Sequence, residues 1–375
     1  MHHIYQELRN TNKDYYIYDL NALKQRAAYI TDKLNHNVYY AVKANSHHRI
    51  LSTLLPYVAG FEVASVGEIM KVRQISSDAH IIFGGPVKTY DDLKYAIDHH
   101  VSSIQIESLF ELDHLIALTE QKESSIDVLI RINLKDIQTS AKLKMAGATQ
   151  FGMPDEDIKE AMNLIKSSPW INFKGLHFHA MSNNLDANAH IAFIQQALQY
   201  HHSDINVPIE TMNVGGGIGI DYQHKVAFDF EHFAERVHHM PKLTFEIGRY
   251  LVGPIGYYAA NVFDIKKNQE SNFVLLNGGT NHFRFPKAWH HQHYHTVYRP
   301  TKTQRKGRTK ILSNEEAFFA GKLCTPNDVF GTKYHIDNIQ TGDWVVFHFA
   351  GAYAYDISHI NFLSHPEPEI IFVTT

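Results

Sequence analysis

The chain has 375 residues, of which 44% are apolar and 20% are charged, and its net charge is −4. This length and balance accommodate two domains with large cores and exclude a disordered chain. Nucleic-acid and membrane-surface partners are not expected, because no basic excess is present to neutralise phosphates. We find no leader sequence and no 18-residue apolar stretch, and the single cysteine, Cys324, fits a reducing cytoplasm.

Between residues 20 and 250, short apolar runs alternate with longer amphipathic stretches. The runs that predict strands are 38–42, 80–83, 103–106, 128–132, 173–178, 211–214 and 243–245. Stretches 66–75, 90–98 and 155–166 have apolar residues at helical spacing. This alternation predicts a parallel sheet covered by helices, and seven or eight repeats suit a (β/α)8 TIM barrel. A doubly wound open sheet is the alternative.

After Pro254 the pattern changes to short apolar runs separated by Gly, Asn, Pro and Asp turns. Runs 273–276, 344–349 and 370–373 have no long helical pattern between them, which predicts antiparallel β structure. A strand at 15–18 could pair with it. We therefore predict a barrel domain over 19–252. A β-sandwich or β-barrel domain is expected from 1–18 and 253–375.

Lys43 follows an apolar, strand-forming run in Tyr-Ala-Val-Lys-Ala-Asn. A lysine at the carboxyl end of a barrel strand points into the mouth of the barrel, where burial favours the neutral amine that attacks an aldehyde. Taken alone, it is also typical of a surface lysine at a strand end.

Two further strand ends carry polar or glycine-rich segments. Glycines 215–217 could let backbone N–H groups close on a phosphate, although a plain tight turn explains them nearly as well. Glu246, at the end of the last barrel run, could keep a pyridine nitrogen protonated, and Gly248 and Arg249 could bind a phosphate. A Glu246–Arg249 ion pair is the structural alternative.

Other candidates are less specific. His177 and His179 alternate along a strand and share one face, so that one could stack on a flat ring or both could be core residues. Cys324 could be a small apolar residue or a proton donor. The chain has 27 histidines, but their spacing lacks a zinc-finger or His-Glu-x-x-His pattern, and we predict no metal site.

A collinear set of motifs resembles the fold-type III pyridoxal 5'-phosphate (PLP) decarboxylases. This alanine-racemase-like barrel family includes ornithine and diaminopimelate decarboxylases. The resemblance covers nearly the whole chain. It rests on residues 40–45, 61–65, 151–152, 177–179, 215–217, 246–249, 323–324 and 351–353.

The resemblance implies bound PLP, with Lys43 as the Schiff-base lysine, Glu246 on the ring nitrogen and His179 stacked on the ring. It implies phosphate contacts from Ser182, Gly217, Gly248, Arg249 and Tyr353, and a cofactor pocket lined by Glu62 and Arg131. Lys43 and Cys324 would be the catalytic proton donors. Cys324 would reach the neighbouring subunit's site, making the active unit a homodimer with shared sites.

The substrate side departs from amine-selective members, which carry an acidic residue after the cysteine where this chain has Thr325. Arg284, in segment 281–286, resembles the Arg-Pro region that grips a distal carboxylate. Residues 278–280, 288–290, 323–326 and 362–366 resemble the siderophore-biosynthesis branch. That branch includes the staphyloferrin B decarboxylase, which acts on a citryl-diaminopropionate conjugate.

The leading hypothesis is therefore PLP-dependent decarboxylation of a carboxylate-rich amino-acid conjugate in siderophore biosynthesis. An amino-acid racemase, such as one making D-ornithine, is the alternative, because Lys43 and Cys324 could act as bases on both faces of the α-carbon. A non-catalytic PLP-binding homologue is a third possibility.

Overall fold

The computed structural model describes residues 1–8, 13–135, 137, 143–205, 207–284, 288, 290–301 and 308–374. The α-helices are α1 His2–Gln6, α2 Leu20–Leu34, α3 His48–Leu54, α4 Val66–Ile75, α5 Tyr90–Asp98, α6 Leu109–Lys122, α7 Asp155–Ser167, α8 Ala187–Tyr200, α9 Phe230–His238 and α10 Arg249–Val252.

The strands complete the secondary structure. They are β1 Tyr15–Asp19, β2 Asn37–Ala41, β3 Gly60–Val63, β4 Ile81–Phe83, β5 Ser103–Ile106, β6 Ile126–Ile132, β7 Leu143–Lys144, β8 Ile171–Phe178, β9 Met181–Ser182, β10 Thr211–Asn213, β11 Leu243–Ile247, β12 Gly256–Asn268, β13 Ser271–Leu276, β14 His295–Tyr298, β15 Ile311–Ala320, β16 Tyr334–Gln340, β17 Trp344–Phe347 and β18 Glu369–Val373.

The chain divides into two compact units. The barrel unit comprises residues 24–220 and 227–251, and the β unit comprises 1–23, 221–226 and 252–375. The domain bounds drawn from the sequence, 19–252 for the barrel and 1–18 with 253–375 for the β domain, stay a prediction.

In the barrel unit, eight strands form a closed barrel in the order β10-β11-β2-β3-β4-β5-β6-β8, and every pair is parallel. β3, β4, β5 and β11 are buried along their whole length, because the barrel interior covers one face and helices cover the other. Several helices begin at a side-chain cap, among them α5, where Thr89 and Asp92 form a capping box. The predicted TIM barrel is thus confirmed, and the open-sheet alternative is wrong.

The β unit contains an eight-stranded sheet with the path β14-β17-β12-β13-β15-β16, and β1 lies between β12 and β18. Its core packs Tyr15, Ile17 and Trp344 against Val346 and Val373. The prediction of antiparallel pairing is wrong for two pairs, β1–β18 and β13–β15, which are parallel. The two strands of each pair are separated in sequence by other segments of the chain. Their spacing therefore did not reveal whether they run parallel or antiparallel.

Each predicted run overlaps a strand of the structure, but the sequence analysis did not predict the strands β3, β7, β9, β12, β14, β15 and β16. In the barrel itself only β3 was missed, because this strand, Gly-Phe-Glu-Val, is short and contains a buried acid that weakens the apolar pattern. No helix in the described part of the chain is both long and apolar enough to cross a lipid bilayer.

Candidate active site

Four neighbouring barrel strands carry the predicted cofactor residues at their carboxyl ends. Lys43 lies in the single 3-10 turn directly after β2, and Ser182 lies in β9, just after β8. Gly217 follows β10, while Gly248 and Arg249 follow β11 at the start of α10. A TIM barrel commonly binds phosphate at the loops after its seventh and eighth strands, beside a short extra helix. β10 and β11 are the seventh and eighth barrel strands here, so the fold places these residues where a phosphate is expected.

Lys43 pairs with a buried carboxylate on the adjacent strand. Its Nζ lies 3.3 Å from Glu62 Oε2 and 3.4 Å from Oε1. The Lys43 side chain is 43% exposed, whereas that of Glu62 is 5% exposed. Burial raises the pKa of Glu62 to about 7, against the lowering effect of Lys43 and with a further rise from Glu246. Lys43 is therefore accessible to a ligand, and Glu62 can exchange a proton near neutral pH.

Glu246 is the second buried carboxylate of this region. Its Oε1 accepts hydrogen bonds from Gln105 Nε2 at 2.5 Å and Asn213 Nδ2 at 2.8 Å, and its Oε2 lies 3.6 Å from His177 Nε2. Burial acts to raise the pKa of Glu246, but His177 and Lys43 outweigh burial and bring that pKa well below its ordinary value. At neutral pH Glu246 is therefore ionised, whereas Glu62, with a pKa of about 7, is partly protonated.

The two histidines of β8 and its continuation differ in environment. His177 is 2% exposed, whereas His179 is partly exposed, and their ring centroids lie 6.4 Å apart. The backbone N–H of Gly216 donates to His179 Nδ1 at 3.0 Å, which leaves the proton of a neutral ring on Nε2. Burial lowers the pKa of His179 well below its ordinary value. A neutral, partly open imidazole suits stacking on a flat ring.

Donor atoms of His177, His179 and Glu246 all lie within 4.8 Å of one another, a spacing that a metal ion could also use. Glu246 Oε1 already accepts two amide hydrogen bonds, however, and His179 Nδ1 accepts the Gly216 N–H. We therefore interpret the trio as a hydrogen-bonding and stacking group.

Arg131 on β6 is held by Glu107, which follows β5. Arg131 Nη1 donates to Glu107 Oε1 at 2.8 Å, and the N–H of Gly152 donates to Oε2 at 2.8 Å. The guanidinium also lies 4.8 Å from the ring centroid of Phe151. The Phe-Gly motif noted in the sequence therefore orients Arg131.

The barrel mouth contains buried polar atoms that make no hydrogen bond among the described residues, namely Arg131 Nη2 and both ring nitrogens of His177. Such atoms are rare in folded proteins and indicate an absent water or ligand. An accessible amine, an ionised carboxylate and a partly open imidazole accompany them. This set fits the aldehyde, pyridine nitrogen and ring of PLP.

The predicted residues Cys324 and Thr325 belong to the β unit, on a loop fixed by a buried carboxylate. Asp328 accepts hydrogen bonds from the N–H and hydroxyl of Thr280 at 2.6 and 2.8 Å, and from the N–H of Leu323 at 2.7 Å. Cys324 is exposed, and Thr325 is partly exposed.

Arg284 and Tyr353 also belong to the β unit. Arg284 is exposed, its Nη1 lies 3.2 Å from His359 Nδ1, and its backbone N–H donates to Ser358 Oγ at 3.1 Å. Tyr353 is partly exposed and has a positive φ of 59°. Phe285, Pro286 and Trp289, which contributed to the substrate-side motifs, lie outside the described residues.

Sequence reasoning missed Gln105, Glu107 and Asp328, and it gave Asn213 no role. Gln105 alternates with apolar residues in the strand Ser-Ile-Gln-Ile and shares one face with Ser103, and this polar face on a barrel strand was the available signal. Asp328 offered none, because Thr280, which donates two of its three hydrogen bonds, lies 48 residues earlier and only the folded structure brings the two together.

Comparison with known proteins identifies the family of the chain. The sequence profile "Pyridoxal-dependent decarboxylase, pyridoxal binding domain" matches residues 20–253. A Staphylococcus aureus protein named 2-[(L-alanin-3-ylcarbamoyl)methyl]-2-hydroxybutanedioate decarboxylase is 40% identical, over 96% of this chain and 94% of its own length. The L-glutamyl-[BtrI acyl-carrier protein] decarboxylase of Niallia circulans is 29% identical, over 94% and 87% of the two chains.

Solved structures show the same fold. Diaminopimelate decarboxylase from Helicobacter pylori, complexed with L-lysine, superposes with a TM-score of 0.84 at 23% identity, covering 100% of this chain and 94% of its own. The arginine decarboxylase of Paramecium bursaria Chlorella virus, bound to agmatine, gives a TM-score of 0.81 at 21% identity, with full coverage of both chains.

Proposed function

The chain belongs to the pyridoxal-dependent decarboxylases, and we propose that its substrate is a citrate conjugate of an α-amino acid, decarboxylated as a step of siderophore biosynthesis. The observation that carries the substrate proposal is the 40% identity, over 96% of this chain, to a decarboxylase of an alanin-3-ylcarbamoyl hydroxybutanedioate. That compound joins an α-amino acid through an amide to a hydroxy-dicarboxylate. The reaction would convert the α-carboxylate to carbon dioxide and place one proton on the α-carbon.

PLP, when bound, supplies an electron sink for the electron pair that the departing carboxylate leaves on the α-carbon. We assign the amine that holds the cofactor to Lys43, the carboxylate at the ring nitrogen to Glu246 and the stacking imidazole to His179. Glu62, which pairs with Lys43 and has a pKa of about 7, takes up or returns a proton as the charge of that lysine changes. Arg131, fixed by Glu107, lines the cofactor pocket.

The phosphate contacts are assigned by their place after the last barrel strands and by the family resemblance. They are Ser182, Gly217, Gly248, Arg249 and Tyr353. A side chain at residue 217 would overlap Met181 O, and the φ of +102° there favours glycine, so the turn holds its backbone close to β9.

The distal end of the substrate is assigned to cationic and hydroxyl groups of the β unit. Arg284 is exposed and lies beside His359, so its guanidinium is available to a carboxylate. Thr325 stands where an acidic residue would attract a distal ammonium, and a hydroxyl there tolerates a carboxylate. Both features favour a carboxylate-rich substrate over a diamine precursor.

We further propose a homodimer in which Cys324 returns the proton to the α-carbon in the neighbouring subunit's site. Its exposure on a loop that Asp328 fixes supports a role outside its own core. A cytoplasmic location is proposed as well, since a lone cysteine forms no internal disulfide and an exposed thiol is kept reduced there.

The substrate proposal is tested with purified enzyme, PLP and the amide of citrate with L-2,3-diaminopropionate. We expect stoichiometric carbon dioxide and a product lighter by one carbon dioxide, and much slower turnover of L-ornithine and meso-diaminopimelate. Carbon dioxide from ornithine but not from the conjugate would overturn the substrate assignment.

A racemase is distinguished in the same reaction run in deuterium oxide. Exchange of the α-hydrogen without carbon dioxide release would overturn decarboxylation as the activity on that substrate. Bound PLP with no turnover of any of the three amino acids would instead support a non-catalytic protein. Arg284→Gln should raise KM for the conjugate about tenfold with a smaller change in kcat, because it removes a ground-state contact to a distal carboxylate.

A further inference from the structure

We propose that Gln105 and Asn213 are positioning residues that hold the Glu246 carboxylate ionised and oriented, with one oxygen occupied and the other left for the cofactor. The proposal rests on the proposed function for the identity of the group that Glu246 meets. The hydrogen bonds that support it form between side chains of this chain and do not involve the cofactor.

Both amides donate to the same carboxylate oxygen. Gln105 Nε2 lies 2.5 Å and Asn213 Nδ2 lies 2.8 Å from Glu246 Oε1. Asn213 is on β10, which borders β11, whereas Gln105 is on β5, four strands from β11 on the opposite side of the barrel. Oε2 lies 3.6 Å from His177 Nε2, beyond hydrogen-bond range. The carboxylate is thus fixed through one oxygen and keeps acceptor capacity on the other.

The amides are themselves held in the donating orientation. Asn213 Oδ1 accepts the N–H of Gly215 at 2.8 Å, so its Nδ2 end must face Glu246. A methyl group at Gly84 would overlap Gln105 Oε1, which shows that the opposite end of that amide packs tightly on the turn after β4. Because a carboxylate can only accept, each amide meets it through nitrogen.

Because Glu246 is buried, these two hydrogen bonds are important for keeping its carboxylate ionised. Gln105 is 1% exposed and Asn213 is 0% exposed, so neither amide is exposed to bulk water. An ionised carboxylate in such a setting needs hydrogen-bond donors to offset the loss of solvation. Amides provide them without titrating, which keeps the carboxylate in one state over the whole physiological pH range.

The remaining charges near Glu246 do not provide a constant stabilisation. Lys43 is the group expected to change charge when the cofactor binds, and Glu62, a like charge, acts against ionisation. Burial lowers the pKa of both His177 and His179, so the lowering of the Glu246 pKa by a protonated His177 is lost as the pH rises and that ring becomes neutral. The two amides are the donors that remain unchanged through all of these states.

The test uses Gln105→Met, which preserves size and removes the donor, and Gly84→Ala, which displaces the amide without removing it. Gln195→Met, on the exposed face of α8, is the matched control. The readouts are the dissociation constant of PLP and the nitrogen-15 shift of ring-labelled PLP, which reports whether the pyridine nitrogen is protonated. Apoprotein melting temperatures verify that each variant is folded.

We expect Gln105→Met to weaken PLP binding about tenfold, the value of one hydrogen bond to a charged group. Its pyridine signal should move toward the unprotonated shift, and kcat should fall more than KM rises. Gly84→Ala should change both readouts in the same direction by a smaller factor, and Gln195→Met should change neither.

Different outcomes would overturn the proposed function and the role of the two amides. Wild-type protein that binds no PLP would overturn the proposed function and this inference together. Wild-type protein that decarboxylates, with Gln105→Met and Gly84→Ala keeping wild-type affinity and a protonated ring nitrogen, would overturn the inference alone.

Discussion

In the barrel unit, Glu62 and Glu246 are buried beside groups that change charge or accept a ligand, whereas in the β unit Asp328 is buried among the groups of its own turns. Glu62 meets the partly exposed Lys43, and Glu246 Oε2 lies 3.6 Å from His177 Nε2, beyond hydrogen-bond distance. Asp328 has both oxygens engaged by backbone N–H groups and by a threonine hydroxyl.

The donors that surround a buried carboxylate indicate whether its role is structural or functional. A carboxylate whose two oxygens both accept hydrogen bonds from fixed backbone donors stabilises a turn. It has little hydrogen-bond capacity remaining for a ligand. A carboxylate that faces a lysine or a histidine keeps reactivity at some cost in stability.

Lys43→Ala should have the largest effect and should act on chemistry alone. Decarboxylation should fall at least about a thousandfold, because the amine that holds the cofactor is lost, and the visible absorbance of lysine-bound PLP should disappear. The free energy of unfolding of the apoprotein should change little, since the side chain is 43% exposed. Lys94→Ala, in an exposed pair with Asp98, is the control. Near-normal turnover in Lys43→Ala would contradict the assignment.

Asp328→Asn should act on stability. The amide keeps the shape but loses one acceptor oxygen, so we expect the free energy of unfolding to fall by about 3 kcal/mol. Urea unfolding measures it, with Asp337→Asn, whose side chain is 96% exposed, as the control. Equal stability of the two variants would show that the loop does not depend on this carboxylate.

His190 provides a buried ionisable group outside the site. It is 0% exposed among Phe193, Phe228 and Phe233, and burial lowers its pKa to about 4. The unfolded chain has a histidine pKa of about 6.5, so the unfolded state binds the proton first as pH falls. The fold should therefore lose up to about 3 kcal/mol between pH 6.5 and pH 4 through this group.

His190→Gln should reduce that acid sensitivity, whatever it does to stability at pH 7. Unfolding free energies measured at pH 7 and pH 5 provide the comparison, and His239→Gln on the surface is the control. An unchanged pH slope in His190→Gln would mean that other groups cause the acid loss.

Glu62→Gln should change stability less than Asp328→Asn or the protonation of His190 does, and its pH dependence should be opposite to that of His190. The folded pKa of about 7 lies above the ordinary value of 4.5, so the stability from this group is full below pH 4.5 and lost as pH rises through 7. Relative to the wild type, the variant should be more stable at pH 8 than at pH 5, by about 2 kcal/mol. Glu160→Gln is the exposed control. A relative loss at pH 8 would show that the pair with Lys43 stabilises the fold.

Much of the fold was predictable because the barrel repeats one local pattern. Apolar runs followed by amphipathic stretches gave seven of the eight barrel strands, and only β3 was missed. The lysine, the glycine run and the Glu-Ile-Gly-Arg segment were visible because each directly follows a strand. In the β unit the sequence predicted only the strands near 15–18, 273–276, 344–349 and 370–373. The pair directions were not predictable, since β1 and β18 pair residues more than 350 positions apart.

The residues at the carboxyl ends of the barrel strands could be identified from local sequence, because strand periodicity is local and a parallel barrel brings those ends together. The hydrogen bonds and pKa values of these residues depend on contacts that form only in the folded protein. Gln105 and Asn213 meet Glu246 from two other strands, and Asp328 reaches a turn far back in the chain. Hydrogen bonds of this kind depend on distances between segments that no local pattern encodes, and they set whether a buried carboxylate is ionised, shared with a lysine or committed to a turn.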